Sequence, residues 1–420
     1  MKRLLVGIVL TALTALAPIL AQDSLSIILK GYVVDKMTRK PVSDAQIHVN
    51  NSRVATMTNS DGRFGLRVSK MPEQLIVSMM GYKNAILTRE ELDKALPTRA
   101  DKEGKMLHIQ LVPNPKYLDE VYVYSPQNIV YAALGKVKEN FPTEGQLYDT
   151  FYRETIRKRR TYVSVSEAVM QLFKTSYEDE SIYRDKVFLQ KGRSLMSQRA
   201  KDTVSVHVKG GPNESLLLDL VKNRESFLCP AVLNDYELTF VAPVQINDRA
   251  QCVIAFKPKA NLAETQDALF TGKMYVDYKT LAFTRIEYNL DVSDPQKVTN
   301  MLLAKKPLGM RFKPRGLDIV MNYYYDGKCS RLSYLKTTYS FDCDWKKRGF
   351  RTPYEAVSEM LITGYQEPVE RPRGRKAFSA HDLLSHEVRD FDDPDFWKDY
   401  NILLPSESLE NAMRKLMRRQ

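Results

Sequence analysis

The sequence lacks the motifs that usually mark an enzyme. It contains no GxSxG serine elbow, no CxxC pair and no glycine-rich phosphate loop, since Gly210-Gly211 alone reads as a turn. Histidine is scarce, with five residues in 420, and none of the five begins an HxxE pair of zinc ligands. After the first 21 residues no apolar run reaches the roughly 20 residues that a membrane-spanning helix needs. We therefore predict no catalytic residue, no metal, no cofactor and no transmembrane helix in the mature chain.

Charge and composition indicate a folded protein with a basic surface. Hydrophobic residues make up 43% and charged residues 27%, which excludes general disorder, and the formal net charge is +12. Such a surplus favours contact with anionic surfaces or acidic partners. No recognised nucleic-acid-binding motif accompanies the charge, so we predict no nucleic-acid partner.

The N-terminus has the pattern of a signal peptide. Lys2 and Arg3 precede an apolar run from Leu4 to Leu16, and Ala21 offers a small residue at the expected cleavage point. Residues 1–21 are thus predicted to be removed, so that the mature chain begins at Gln22 and carries a charge of +10, two less than the full +12. An uncleaved membrane anchor is the alternative. The expected location is the periplasm or the outer membrane.

Four cysteines are compatible with an oxidising compartment. Pairing of sequence neighbours, Cys229 with Cys252 and Cys329 with Cys343, is one expectation, and four free thiols is the other.

Residues 22–113 read as about seven short strands with turns between them. Asn59-Ser60-Asp61-Gly62 is a strong turn signal, and Ala45, Ile47 and Val49 share one face of a strand. Thr88–Lys105 is an insert that reads as a short helix and a charged loop. Strands at this spacing predict a small β-sandwich.

This stretch closely resembles the carboxypeptidase regulatory-like family, a transthyretin-like sandwich. The matching residues are Gly31-Tyr32-Val33-Val34-Asp35, Pro41-Val42-Ser43-Asp44-Ala45, Thr58 to Phe64 and Ser78-Met79-Met80-Gly81-Tyr82. The resemblance implies an accessory module for binding or assembly, without peptidase activity. Residues 117–123 resemble the segment that follows this module in large outer-membrane nutrient receptors, and they are either a docking strand or the end of the module and a linker.

The remainder is predicted to be mainly β, with strands that include Tyr162–Thr175, Tyr236–Ile246, Arg249–Pro258 and Phe270–Asp277. Leu216–Arg224 is expected to be helical, and Ser406 is the expected N-cap of a C-terminal helix. We expect a linker and helix over 114–145, a large curved antiparallel sheet over 146–368, and a basic loop with a C-terminal helix over 369–420. A hairpin around residues 277–280 is similar to those of lipoprotein-carrier half-barrels. The order of module, helix and Phe151-Tyr152-Arg153-Glu154 strand resembles a family of uncharacterised exported proteins from bacteria with such receptors.

Two basic runs are the candidate contacts with an anionic surface. They are Arg157-Lys158-Arg159-Arg160 and Arg371, Arg373, Arg375 and Lys376, and solvated loops are the alternative for both. Two weaker candidates concern metal binding. They are His381 and His386 with Asp382 and Glu387, and the acidic residues 390–395, which could bind Ca²⁺ weakly.

The function expected from these features is an exported, non-catalytic cell-envelope protein with a binding or assembly role, for which an envelope protein or a lipid or glycan is the expected partner. The large sheet would offer an apolar groove or patch to that partner. One alternative is a hydrolase of envelope glycans or peptides, for which Glu154, Glu167 and Glu287 would have to converge. The other is a structural subunit of an outer-membrane complex.

Overall fold

The computed structural model describes residues 26–95, 105–114, 125–179, 181–199, 207–208, 210–260, 269–345, 351–379, 382–388 and 396–418. The predicted signal peptide and the segment 117–123 lie outside these ranges. Within them the chain is mainly β, as predicted.

The first unit is a two-sheet sandwich. One sheet has the strand order β4-β1-β7 and the other β3-β2-β5-β6, and only the β1–β7 pair is parallel. The strands are β1 Ile27–Asp35, β2 Gln46–Val49, β3 Ala55–Met57, β4 Arg63–Val68, β5 Gln74–Ser78, β6 Ala85–Thr88 and β7 Leu107–Leu111, with helix α1 at Arg89–Asp93.

Alternation of side chains along these strands builds the sandwich core. Ile47 and Val49 of β2 point inward with Ala45, as predicted, and join Leu66 and Val77 in a buried cluster. The turn before β4 needs a glycine, because Gly62 has a φ of +73° and a Cβ there would lie 2.5 Å from the Val33 carbonyl.

The second unit is one antiparallel sheet of ten strands, in the order β10-β9-β8-β19-β18-β17-β15-β14-β13-β12. Its strands are β8 Gln146–Lys158, β9 Thr161–Lys174, β10 Lys186–Met196, β12 Tyr236–Ile246, β13 Arg249–Pro258, β14 Phe270–Asp277, β15 Phe283–Leu290, β17 Met310–Tyr325, β18 Ser330–Trp345 and β19 Thr352–Gln366. Two short strands, β11 His207–Val208 and β16 Leu303–Lys305, pair apart from it.

One face of this sheet, here called the core face, is covered by short helices. They are α2 Pro126–Gly135, α3 Val137–Asn140, α4 Pro212–Leu217, α5 Pro230–Leu233 and α6 Pro295–Leu302. Their apolar residues join inward-facing strand residues such as Tyr152 and Ile319 in one large buried cluster. The expected helix over Leu216–Arg224 is wrong in extent, since α4 ends at Leu217 and the chain turns to bury Asp219.

The opposite face of the sheet carries the sandwich and the C-terminal segment. Met57 of the sandwich, Phe151 of β8 and Leu403 of the tail lie in one buried cluster. Helix α8 (Glu407–Met417) packs Leu409, Met413 and Leu416 on β9 and β10 at this face. Helix α7 (Leu384–Glu387) contacts β10 from the other side, since Leu384 lies in the core-face cluster. The predicted N-cap of α8 is confirmed, because the Ser406 hydroxyl accepts a hydrogen bond from the Leu409 amide at 3.3 Å.

Candidate functional site

The first basic run forms the β8–β9 hairpin at one end of the large sheet. Arg159 and Arg160 are exposed, and Arg159 adopts a φ of +56° while its amide donates to the Pro353 carbonyl at 2.8 Å. Arg157 pairs with Glu355, and Lys158 lies 5.9 Å from the Tyr354 ring centre. The run is thus held against β19 and presents its last two cations to solvent.

The second basic run lies elsewhere. The backbone of Val369 bonds to Gly145, just before β8 begins, and the Arg375 guanidinium donates to Gln171 near the end of β9. At about 3.3 Å per residue along β8, the two runs are roughly 30–40 Å apart. Arg371, Arg373 and Lys376 are exposed, but they form no common surface with Arg157–Arg160.

Three further segments meet the first run at the same sheet end. Strand pairing places Met310 opposite Trp345, Cys343 opposite Thr352, and Tyr354 opposite Lys158. The starts of β9, β19 and β17 and the ends of β8 and β18 therefore lie side by side across about 19 Å. We call this region the basic end and define it as residues 157–160, 305–315, 342–345 and 351–355.

The basic end holds ten Lys or Arg residues against three carboxylates, a surplus of seven in a chain whose net charge is +12. Two of the three carboxylates are engaged in ion pairs, Glu355 with Arg157 and Asp342 with Arg315 at 3.3 Å. The third, Asp344, is buried and accepts from the Thr352 hydroxyl at 2.9 Å. The surface that faces solvent is consequently strongly positive.

A cleft of about 770 Å³ opens between α6 and the ends of β17 and β18 in this region. Its lining combines the cations Lys306, Arg311, Lys313 and Arg351 with the carboxylates of Asp342 and Asp344 and with apolar side chains such as Leu303, Met310 and Phe312. Beside it, Leu308 is 99% exposed at the tip of a turn and Trp345 is 40% exposed. Because its four cations outnumber its two carboxylates, the cleft favours an anionic group.

Sequence reasoning found only part of this region. Lys305-Lys306 and Lys346-Lys347-Arg348 are basic runs like those that were singled out, although 346–350 lies outside the described residues. The sequence alone does not show that Lys305 and Lys306 lie at the same end of the sheet as Arg159 and Arg160, since that depends on strand order.

The expected apolar groove on the sheet is not found in the described ranges. The core face is covered by the protein's own helices, and the sandwich and the tail cover part of the opposite face. An open cleft on the rest of that face is lined by polar and charged side chains such as Lys273, Glu287 and Asp318, and the other clefts are lined by polar and apolar side chains together. This arrangement counts against carriage of an apolar ligand within the sheet.

The three carboxylates weighed for hydrolysis do not converge. Glu154 lies near Gly211 on the side of α4, burial raises its pKa, and it accepts from the Tyr152 hydroxyl at 2.8 Å. Glu167 is buried between Arg153 and Arg193, each 2.8 Å away, and these two cations overcome the effect of burial and lower its pKa. Glu287 lies five strands from Glu167 in the sheet order, about 24 Å away.

An SxxK spacing is also present, formed by Ser333 and Lys336. It lies on β18 at the contact with the sandwich. The Ser333 hydroxyl donates to the Asn322 carbonyl at 3.1 Å and accepts from the Gln46 amide at 3.3 Å. Both contacts tie the serine into the contact between the two units.

The metal candidates receive no support from the described residues, among which no group of three or more His, Cys, Asp or Glu side chains could hold an ion. His386, Asp382 and Glu387 are described, whereas His381 and residues 390–395 lie outside the described ranges.

The expected cysteine pairing is not found in the structure, in which Cys229, Cys252, Cys329 and Cys343 form no disulfide. Cys329 directly precedes β18 and Cys343 lies near its other end, so they are about 45 Å apart and cannot bond. Burial raises the pKa of both Cys329 and Cys343 to about 11, which keeps these thiols protonated at neutral pH.

Comparison with known proteins identifies the first unit. The family model described as a CarboxypepD_reg-like domain matches residues 29–123, so this part of the chain is a carboxypeptidase regulatory-like domain, as the resemblance predicted. The whole chain is accordingly a β-rich protein in which that domain is followed by a ten-stranded sheet.

Other comparisons add little. No curated protein matches the chain. A crystal structure of a DUF1329 family protein from Desulfovibrio piger aligns at 10% identity over 58% of this chain and 93% of its own, with a TM-score of 0.22. A TM-score this low does not establish a shared fold. No helix among the described residues is long and apolar enough to span a membrane.

Proposed function

We propose that the protein is an exported, non-catalytic component of the bacterial cell envelope, located in the periplasm or at the outer membrane. Its regulatory-like domain and its large sheet act together as one binding or assembly body. The N-terminal signal pattern supports export, and the positions of Glu154, Glu167 and Glu287 give no support to the hydrolase alternative.

The observation that carries this proposal is the way in which the sandwich is docked on the sheet. His48 of β2 stacks on Tyr324 of β17 with ring centres 3.5 Å apart, and the Gly81 amide donates to the Gln245 carbonyl at 3.0 Å. The Asn84 amide donates to Asp248 at 3.2 Å. Contacts at two separate places, Tyr324 and the β12–β13 hairpin, fix the orientation of the two units.

The C-terminal segment reinforces that docking. The Asn401 side chain exchanges two hydrogen bonds with the backbone of Arg67, at 2.7 and 3.0 Å, and the Asn59 amide donates to the Pro405 carbonyl at 2.9 Å. Because helices cover the core face and the sandwich and tail cover only part of the opposite face, binding is left to the ends of the sheet, to the exposed strands around Lys273 and Asp318, and to the free surface of the sandwich. The protein is therefore suited to contact a surface or a large partner.

Export and partnership can be tested together in the native host. The full chain should be recovered from the envelope fraction with Gln22 at its N-terminus, and chemical crosslinking in intact cells should give species larger than the monomer. A chain that retains Met1 in the cytosolic fraction would contradict export. Recovery of the free monomer alone after crosslinking would contradict the assembly role.

Catalysis is tested separately. Purified mature chain incubated with peptidoglycan fragments and with envelope peptides should release no product above a boiled control. Turnover that is lost in the Glu154→Gln variant, with unfolding unchanged, would overturn the non-catalytic assignment.

A further inference from the structure

We propose that the basic end is a docking surface for membranes that contain anionic phospholipid, with Leu308 and Trp345 entering the interfacial layer. The inference rests on the proposed binding role and names the partner that this surface fits. Its first support is the concentration of charge, with a surplus of seven cations over carboxylates on one end of the sheet. Clustered Lys and Arg residues are attracted to the negative surface potential of anionic leaflets.

The second support is the exposed apolar tip within that positive field. Leu308 is 99% exposed in the turn Pro307–Met310, which is closed by a hydrogen bond from the Met310 amide to the Pro307 carbonyl at 3.2 Å. Gly309 has a φ of +81°, which keeps the turn tight. The Leu308 side chain lies between Lys305-Lys306 and Arg311 and is left exposed to solvent by this turn.

The third support is the position of Trp345. Its partner across the sheet is Met310, two residues after Leu308, so the Cα atoms of Leu308 and Trp345 are within about 13 Å of each other. Tryptophan favours the boundary between headgroups and acyl chains, because its ring is apolar and its N–H is polar.

Together these features match a peripheral membrane surface better than a protein interface. An acidic protein partner would complement the cations but would give Leu308 no pocket, whereas a bilayer accepts both. The cleft beside Leu308, lined in part by Lys306, Arg311 and Lys313, can receive a lipid phosphate.

Vesicle flotation with the purified mature chain tests the proposal. Vesicles of phosphatidylglycerol and phosphatidylethanolamine should carry the protein, and phosphatidylcholine vesicles should not. The triple variant Arg159→Gln, Arg160→Gln, Lys305→Gln should lose on the order of 100-fold in partitioning, since each cation contributes about fivefold.

The matched control removes the same charge from the other end of the sheet. The triple variant Arg371→Gln, Arg373→Gln, Lys376→Gln should bind these vesicles like the wild type. Equal losses in the two variants would overturn the proposal in favour of a net-charge effect. Absence of binding to phosphatidylglycerol vesicles, or binding only to vesicles that contain lipid A, would also overturn it.

The fluorescence of Trp345 reports whether this side chain enters the bilayer. The protein has two tryptophans, and the other, Trp397, has a buried ring N–H without a hydrogen-bond partner, so Trp397→Phe removes it at little cost. In that variant the emission should shift to the blue on phosphatidylglycerol vesicles and be quenched by brominated acyl chains. Unchanged emission on bound vesicles would contradict insertion. These results do not depend on export or on crosslinking to proteins, so a failure here is distinguishable from a failure of the proposed function.

Discussion

Single residues contribute most to the stability of the fold where a charged side chain is buried. Lys174 has no exposed surface, and its ammonium lies 3.1 Å from Asp219 and 3.2 Å from Asp185. Burial alone would lower the pKa of Lys174, but the two carboxylates raise it above its ordinary value. Asp219 also accepts hydrogen bonds from the hydroxyls of Tyr177 and Tyr323, at 2.8 and 2.7 Å. The cluster fastens the chain after α4 to the ends of β9 and β17.

Removal of the Lys174 charge should destabilise the fold strongly. In Lys174→Met the two buried carboxylates lose their cation, so the free energy of unfolding should fall by about 3–5 kcal/mol in urea titrations. Lys138→Met is the matched control, because Lys138 pairs with Glu178 at an exposed site and its removal should leave the free energy of unfolding nearly unchanged. Similar losses in both variants would contradict this account.

His48 gives the contact between the two units a dependence on pH. Burial lowers its pKa to about 3, whereas the unfolded chain binds a proton near pH 6.5. Between these two pH values the unfolded state binds more protons than the folded state. The free energy of unfolding therefore has its full value above pH 6.5 and decreases as the pH falls.

From this single group we expect a loss of about 3 kcal/mol between pH 6.5 and pH 4. His48→Gln should flatten the dependence of the unfolding midpoint on pH over that range. An identical pH profile in wild type and variant would show that His48 does not report on the contact.

None of these residues was singled out from the sequence. Lys174 ends a predicted strand and His48 lies within one, and alternation alone gives each a side of its sheet. Their partners are distant in sequence: Lys174 meets Asp219, and His48 meets Tyr324. A sequence pattern contains no information about such pairs, since they arise only when layers stack.

At the scale of elements, local patterns were informative. The strands Tyr236–Ile246, Arg249–Pro258 and Phe270–Asp277 have the predicted bounds, because aromatic and β-branched residues alternate along them. Helix α6 was missed, although Asp294 before Pro295 is an N-cap signal and its carboxylate accepts from the Gln296 amide at 3.0 Å. Its short length gave too little apolar periodicity to reveal it.

The tail from Phe396 to Pro405 is the element that ties the layers together. Asn401 covers β4, an edge strand of the sandwich, and Lys191 donates to the Phe396 carbonyl at 2.8 Å. The Arg153 guanidinium donates to the Leu403 carbonyl at 2.5 Å. The tail thus contacts both the sandwich and the large sheet.

The Asn401→Ala variant should weaken the contact between the tail and the sandwich. Loss of two hydrogen bonds leaves the Arg67 backbone without its partners, which should cost about 1–3 kcal/mol and speed amide exchange at Arg67. The control Asn411→Ala, on the exposed side of α8, should leave exchange at Arg67 unchanged. Equal protection of Arg67 in wild type and Asn401→Ala would contradict the role given to the tail.

At the scale of the whole molecule, the fold class and the regulatory-like domain could be predicted because they depend on short repeating patterns. The strand order of the large sheet could not, and it decides which charged loops meet. Arg157–Arg160 and Arg371–Lys376 looked equivalent in sequence, yet strand pairing places only the first beside Lys305, Arg311 and Arg351.

Contacts between the layers also predict how the molecule unfolds. Because the sandwich, the sheet and the tail share a buried cluster, thermal unfolding should be a single transition when it is followed by far-ultraviolet circular dichroism and by Trp397 fluorescence in a Trp345→Phe variant. Two separated transitions would show that the sandwich is only loosely attached.

The most direct test of the account is site-specific photo-crosslinking in intact cells. A photoreactive residue placed at Leu308 should form adducts with envelope lipid or protein, whereas one at Met37, which is 79% exposed on the sandwich, should form far fewer. The account predicts adducts that depend on the basic end and diminish in the Arg159→Gln, Arg160→Gln, Lys305→Gln variant. Equal labelling from Leu308 and Met37, or none from Leu308, would contradict it.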